Sequence, residues 1–446
     1  MDFKNDQIVR PSKEQVEWAD CEIGVLIHYD IQVFQPEYEF REQMGWHPEA
    51  LIFNPSMLDT DQWIRSASKA GAKYAVLVAK HCSGFCLWPT EAHEYSVKYS
   101  PWKNGKGDIV REFVASCKKF GIKPGLYYSS SCNAFLNVDN PEKVLSGKQD
   151  EQTRYNQIVI QQLTELWSNY GELFEIWFDG GVLPPEMGGP DIGPLMKKLQ
   201  PSANVFQGRM GTRSLLRWSG NEEGQAPYPC WSTTHLGKND YDGTVDCTEA
   251  GVGDPFAPIW APAEADMPNR NRNYAFQNGW FWRQGEDGLV YSAGHLVEKY
   301  FNTVGCNANL LLGMVIDNRG LVPDMDAKQF TWFGEYMDKI FDKSNLLGEN
   351  AGKGNELTVE LKSGGKISYI IIMEDIEHGE RVLEYNITGW DGTEWKEICD
   401  GISVGHKRIH CLKYPKPEKI SAIKFVCTKS KADPVIRRLA VYKEMK

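Results

Sequence analysis

No Cys-x-x-Cys pair occurs in this chain, so the ligand spacing of a structural zinc site is missing despite 11 cysteines. An odd, scattered set argues against a complete disulfide framework and reads instead as buried thiols. No apolar run approaches the ~18 residues that a membrane-spanning helix needs. No basic run interrupts an acidic chain of formal net charge −11, with 49 basic and 60 acidic residues. Nucleic acid and anionic membrane therefore find no electrostatic footprint. The glycine-rich phosphate fingerprint of a dinucleotide fold is missing too, as are internal repeats and low-complexity tracts, and nothing predicts a cofactor. The start, Met1-Asp2-Phe3-Lys4-Asn5-Asp6, lacks the apolar stretch of a secretory leader. The expectation is a cytoplasmic protein, or a periplasmic or secreted one if the numbering begins on a mature form.

What the chain has in plenty is aromatic rings: 15 Trp, 19 Tyr and 19 Phe. Large cores use them, and so do sites that stack a ring on the apolar face of a sugar. At 446 residues, two or three domains are expected. From about residue 21 to 343, buried strand runs alternate with amphipathic helices. Val25-Leu26-Ile27, Tyr74 through Val78, Pro124 through Tyr128, Ile176-Trp177-Phe178 and Asn309 through Leu312 read as strands. Asp59 through Ala70, Asp108 through Phe120, Glu151 through Tyr170 and Leu296 through Val304 read as helices. Non-alternating strands separated by helices predict a parallel sheet, here a (β/α)8-type barrel over residues 1–343. Residues 205–285 read as loop-rich, and 344–356 as a linker of Asn, Gly and Lys composition. Short strands at roughly ten-residue spacing then predict an all-β sandwich over 357–446, expected to be independent and to border the active site.

Chemistry concentrates at predicted strand ends. His28, His81, Tyr128 and Asp179 follow one another at steps of 53, 47 and 51 residues (81 − 28, 128 − 81, 179 − 128), room for one strand, loop and helix each. Asp179 is the leading candidate, because an apolar aromatic strand that stops on a carboxylate followed by two glycines aims that acid at a barrel rim. Trp177, two residues earlier on the same face, offers a ring beside it. Cutting a glycosidic bond takes two carboxylates, one to attack or activate water and one to protonate the leaving oxygen. The second would come from the loop-rich segment, where Glu222 and Glu264 stay open as alternatives. His28 and His81 are candidate hydroxyl-binding groups, Arg209 a rim cation, and Trp46 and Trp88 candidate stacking rings. A metal-dependent hydrolase built on His28, His81 and Asp179 is a rival reading, weakened by the absence of a His-x-His pair on the first strand; a degenerate carbohydrate-binding barrel is another.

Together, His28, Lys80-His81 with Gly84-Phe85-Cys86-Leu87-Trp88, Tyr127-Tyr128-Ser129, Trp177-Phe178-Asp179-Gly180 and Asn307 through Leu312 resemble the α-L-fucosidases of glycoside hydrolase family 29 over roughly residues 15–343. The resemblance implies a retaining enzyme with Asp179 as nucleophile, no metal and no cofactor, acting on a fucosylated oligosaccharide or glycoconjugate. It assigns fucose binding to His28, His81, Tyr128, Trp177 and Arg209. Gly220-Asn221-Glu222-Glu223-Gly224 is similar to the loop of the branch selective for α-1,3/1,4-linked fucose, which makes Glu222 the acid/base. The broader branch, active on α-1,2 linkages as well, is the alternative. The C-terminal sandwich would then be similar to galactose-binding and discoidin-like modules. One departure is plain: the family commonly carries a His-His pair where this chain has His81-Cys82.

Overall fold

The computed structural model describes residues 8–209, 211–235, 251–362, 366–416 and 419–445. Eight strands close a parallel barrel in which each strand lies beside the next in the chain: β1 Ile23–His28, β2 Tyr74–Lys80, β3 Lys123–Tyr128, β4 Glu175–Phe178, β5 Asn204–Phe206, β6 Leu215–Trp218, β7 Ala263–Met267 and β8 Ala308–Val315, with β8 paired back to β1. Side chains alternate across the wall. Leu26, Tyr74, Val76, Val78, Tyr127, Trp177, Phe206, Leu216 and Leu311 fill the inside. Val25, Ile27, Ala75, Leu77, Leu126, Ile176 and Leu312 face out to the helices.

Two of those helices begin where a short acid can accept from the first free amides. After a short helix α1 (Lys13–Ala19) ahead of β1, Asp59 caps α2 (Thr60–Lys69) through Gln62 N–H, and Asp108 caps α3 (Ile109–Phe120) through Arg111 N–H. On α3, Ile109, Val110, Phe113 and Cys117 share the buried face. Emptying the Phe113 site with alanine would cost about 3–5 kcal/mol. A longer helix, α4 (Gln149–Ser168), precedes β4, and α5 (Gly193–Leu199), α6 (Ala293–Thr303) and α7 (Asp324–Ile340) complete the ring. Among the described residues, the connections β5–β6 and β6–β7 carry no α-helix.

Two regions depart from the sequence expectation. The segment 205–285 supplies parts of three barrel strands, β5, β6 and β7. They escape notice because they are three to five residues long and because β7 carries acids, Glu264 and Asp266, at its inward positions. The expected linker 344–356 contains a strand, Leu346–Lys353, paired antiparallel with Val435–Lys443. Its polar composition is that of a sheet edge open to water rather than of a tether.

The C-terminal sandwich consists of two four-stranded antiparallel sheets. One orders Leu346–Lys353, Val435–Lys443, Ile367–Glu374 and Arg408–Lys416; the other orders Glu356–Glu360, Ala422–Ser430, Val382–Trp390 and Trp395–Gly401. It docks at the end of the barrel where strands begin. Asn307, just before β8, donates to Glu380 Oε1 (2.6 Å) and accepts from His406 N–H (2.7 Å). Asp20, just before β1, accepts from Arg437 at 2.8 Å. Ile371, Met373, Ile409, Ala440 and Tyr442 join the apolar cluster around the barrel. The sandwich therefore shares a core with the barrel and sits at the end opposite the strand termini that carry the chemistry, not beside them as expected.

Candidate active site

At the other end, where the strands finish, His28, His81, Tyr127, Trp177, Asp179, Glu222 and Asp266 line one pocket, walled further by Phe40, Arg41, Gln277, Asn278, Trp280 and Phe281. Every one of these residues precedes residue 343, so among the described residues the sandwich contributes none. A second cavity, at the strand-start end between Trp18, Trp260, Asn307 and His406, is lined by no carboxylate among the described residues.

Period-two geometry explains who enters the pocket. On β3 and β4, Tyr127 pairs with Trp177, and Trp177 pairs with Phe206 on β5. Their rings stack at one level: Tyr127 on Trp177 at 5.1 Å, Trp177 on Phe206 at 4.1 Å. Asp179 stands two residues beyond Trp177 on the same face, and Tyr127 donates its hydroxyl to Asp179 Oδ2 at 2.6 Å. Burial raises the Asp179 carboxyl above its ordinary value; the Tyr127 bond opposes this, and the charge of Glu222 adds to it.

His81 reaches the pocket through an irregularity. Val78 pairs with Tyr127 but Lys80 pairs with Tyr128, so Ala79 is the extra residue of a bulge. Without it Lys80 would point inward and His81 outward. Lys80 instead lies over the outward Tyr128 ring at 4.3 Å and bonds Ser129 O. His81 stacks on Tyr127 at 5.7 Å, and His28 packs against Trp280 at 4.8 Å. Both imidazoles are held neutral: burial lowers His28 to about 3, and burial with His28 nearby lowers His81 as well. Neutral rings can each donate one hydrogen bond and accept another, which suits sugar hydroxyls.

Glu222 sits on the β6–β7 loop, and backbone bonds clamp that loop to β7: Ser219 N–H to Glu264 O at 2.9 Å and Gly224 N–H to Asp266 O at 3.0 Å. Gly224 has φ 58°, and a Cβ there would meet Met267 Sδ at 2.5 Å, so glycine lets the loop close without displacing Met267. Arg272 pairs with Glu222 at 3.3 Å. Asp266 lies on the strand beneath, buried, and accepts from Trp218 Nε1 at 2.6 Å. Burial and the neighbouring Glu222 charge push its carboxyl well above its ordinary value.

Five expected site residues lie elsewhere. Tyr128 faces outward and donates to Gln162 of α4 at 2.7 Å; the pocket tyrosine is its neighbour Tyr127, because the strand alternates. Trp88 is buried among the helices and donates to Glu165 Oε2 at 2.8 Å. Trp46 is 46% exposed and rests on Tyr38, off the pocket wall. Arg209 bonds the carbonyls of Val182, Leu183 and Pro190, bracing the loop after β4. Glu264 points inward but lies too deep. Its two oxygens accept from Tyr74 (2.6 Å) and Trp177 Nε1 (2.9 Å), and burial raises both it and the adjoining Glu175 carboxyl.

Residues the sequence reading missed differ in how visible they were. Asp266 follows from alternation once Ala263–Met267 is recognised as a strand. Trp280 and Phe281 sit in an aromatic run, Gly279-Trp280-Phe281-Trp282. Arg41 leaves no local signal. For metals, the donor atoms of His81, Cys82 and Asp179 lie within 4.8 Å of one another, whereas His28 is outside that group.

Residues 7–340 match the sequence model of the α-L-fucosidase family. The chain is 30% identical to α-L-fucosidase 1 of Arabidopsis thaliana over 470 aligned positions, covering 97% of this chain and 87% of the relative. It superposes on a Bacteroides thetaiotaomicron protein provisionally named an α-L-fucosidase with a TM-score of 0.90 at 35% identity, covering 98% of this chain and all of that one. A Ruminococcus gnavus family 29 fucosidase, solved with fucose, shares the fold at a TM-score of 0.80 and 24% identity, covering 99% of this chain and 97% of its own.

Proposed function

This chain belongs to the α-L-fucosidase family, and we propose that it hydrolyses terminal α-L-fucosides with retention, using Asp179 as nucleophile and Glu222 as acid/base. The observation that carries the proposal is the placement of Asp179 at the end of β4, oriented by Tyr127 and sharing one pocket with Glu222. In the first step Asp179 attacks the anomeric carbon while Glu222 gives a proton to the departing oxygen. The product is a fucosyl ester on Asp179 and a free acceptor sugar. In the second step Glu222 takes a proton from water, the hydroxyl adds to the anomeric carbon, and Asp179 leaves as carboxylate. Retention calls for the two carboxyls about 5 Å apart.

Asp266 fits a supporting part. A buried carboxyl whose protonated form is favoured, against the floor of the pocket, can donate to a sugar hydroxyl but stays under the Glu222 loop, away from the rim where a leaving group exits. His28 and His81 hold further hydroxyls, and Trp177, Trp280 and Phe281 offer apolar faces. With three carboxyls in the pocket, a degenerate binding barrel gains no support.

The preferred substrate is fucose linked α-1,3 or α-1,4 to a branched sugar. The Gly-Asn-Glu-Glu-Gly loop supports this, since the same loop would present Glu222 and contact the neighbouring galactose. Binding energy from that remote sugar is felt at the reacting carbon when it aligns the bond. Catalytic efficiency on a Lewis trisaccharide against 2′-fucosyllactose tests the linkage. Equal values, or a preference for the 2′ linkage, would place the chain with the broader branch and leave the Asp179 chemistry standing.

A further inference from the structure

Cys82 has no part in the hydrolytic scheme, yet its surroundings are chemically particular. It follows His81 past the bulge of β2, and the donor atoms of His81, Cys82 and Asp179 come within 4.8 Å of one another. Cys82 is buried at 5% exposure, its sulfur is 3.5 Å from Ser129 Oγ, and it shares one buried cluster with Cys132. His81 Nδ1 is buried and has no hydrogen-bond partner. Such an atom is uncommon in folded proteins and asks for an explanation.

Nitrogen, sulfur and oxygen donors from the ends of β2 and β4, the two strands that flank β3, form a mixed set. Hard cations such as Ca²⁺ and Mg²⁺ take all-oxygen shells, so a thiol and an imidazole disfavour them. Zinc takes these three donor types together in a tetrahedron, with bonds of about 2.0–2.3 Å. Those bond lengths bring donors to about 3.5 Å apart, so the widest pair here has about an ångström to close. Rotation of the Asp179 and Cys82 side chains is the motion required.

We propose that His81, Cys82 and Asp179 form a binding site for a thiophilic divalent cation of the zinc class, and that its occupancy stops the enzyme by engaging the Asp179 carboxylate. The cation is an inhibitor, not a cofactor. On binding, the Cys82 thiol releases its proton to solvent as the sulfur–metal bond forms; Asp179 coordinates as carboxylate and His81 as neutral imidazole. Nothing is oxidised or reduced. Cys82 then makes this pocket sensitive to soft metals. Only the inhibitory half rests on the proposed role of Asp179; the binding half stands on the donor geometry.

The test uses the full chain, freed of metal by chelator and dialysis. Zn²⁺ is titrated by calorimetry, Cd²⁺ by its thiolate charge-transfer absorbance, and hydrolysis of an aryl fucoside is followed in parallel. The expected result is one site per chain, with inhibition reversed by chelator and metal binding weakened by L-fucose. Cys82→Ser should keep the hydrolysis, lose one thiolate's share of the Cd²⁺ band, and shift the Zn²⁺ inhibition midpoint by at least about tenfold. Cys82→Ala, with circular dichroism and a thermal midpoint, guards against a folding defect in the serine variant. An unchanged band and an unchanged inhibition midpoint in the Cys82 variants overturn the proposal, as does absence of any Cd²⁺ band in the unaltered chain. Loss of the hydrolytic reading alone would leave calorimetry and the band to decide the site.

Discussion

Replacing Tyr127 with phenylalanine removes one oxygen from the pocket and little else. The ring stays, and with it the stacking on Trp177 at 5.1 Å and against His81 at 5.7 Å. What is lost is the 2.6 Å bond to Asp179 Oδ2. A hydroxyl bonded to a charged carboxylate is worth about 1.5–3 kcal/mol. That bond stabilises the ionised form of Asp179 and opposes the rise caused by burial, so its removal moves the carboxyl further up. A nucleophile must be ionised to attack, and the acidic limb of kcat/KM reports that ionisation in the free enzyme. The limb in Tyr127→Phe should therefore shift to higher pH. On the limb, kcat/KM should fall by roughly ten- to a hundredfold, since about 1.36 kcal/mol is a factor of ten. On the plateau above it the loss should be smaller. The assay is aryl-fucoside hydrolysis across pH, with a thermal midpoint to exclude unfolding. A limb that stays in place or moves to lower pH would refute the reasoning, and Tyr127 would then be no more than a stacked ring.

Tyr128→Phe, one residue away, should leave kcat/KM unchanged while costing about 1–3 kcal/mol of stability, because Gln162 loses its buried donor; denaturant unfolding and steady-state kinetics together check this. Asp266→Asn should keep hydrolysis within about fivefold of the parent, the worth of one neutral hydrogen bond, because burial and the Glu222 charge already favour the protonated carboxyl there; a loss as deep as that of Glu222→Gln would make Asp266 the acid/base instead. Glu264→Gln should gain stability relative to the parent as pH rises. The folded carboxyl sits above its ordinary value of 4.5, so the parent's stability is full below that value and is lost as pH climbs through the raised one; thermal midpoints of both proteins across pH decide it, and a difference that does not move with pH would count against a buried acid there.

The barrel was legible because its long strands are continuous apolar runs, as at Val25-Leu26-Ile27 and Asn309 through Leu312, and because Asp59 and Asp108 mark helix starts. Asp179 and the two histidines stood out as polar residues ending such runs. What stayed hidden has physical causes. Tyr127 and Tyr128 are chemically identical, and only the register of β3 decides which faces the pocket. Strand β7 spends its inward positions on Glu264 and Asp266, so it does not resemble a core strand, and the depth difference of two residues separates a carboxyl inside the barrel from one in the site. Trp88 and Arg209 carry residue types that suit sugar sites, but their partners, Glu165 and three loop carbonyls, are distant in sequence. The bulge at Ala79 leaves no mark in composition.

The central claim is that Asp179 forms a covalent bond with fucose. A 2-deoxy-2-fluoro-fucosyl fluoride slows the second step enough to trap that ester, and digestion with mass spectrometry locates it. The account predicts one added 2-fluorofucosyl group per chain, on the peptide containing Asp179. A label on Asp266 or Glu222, or turnover with no covalent species at all, would contradict it.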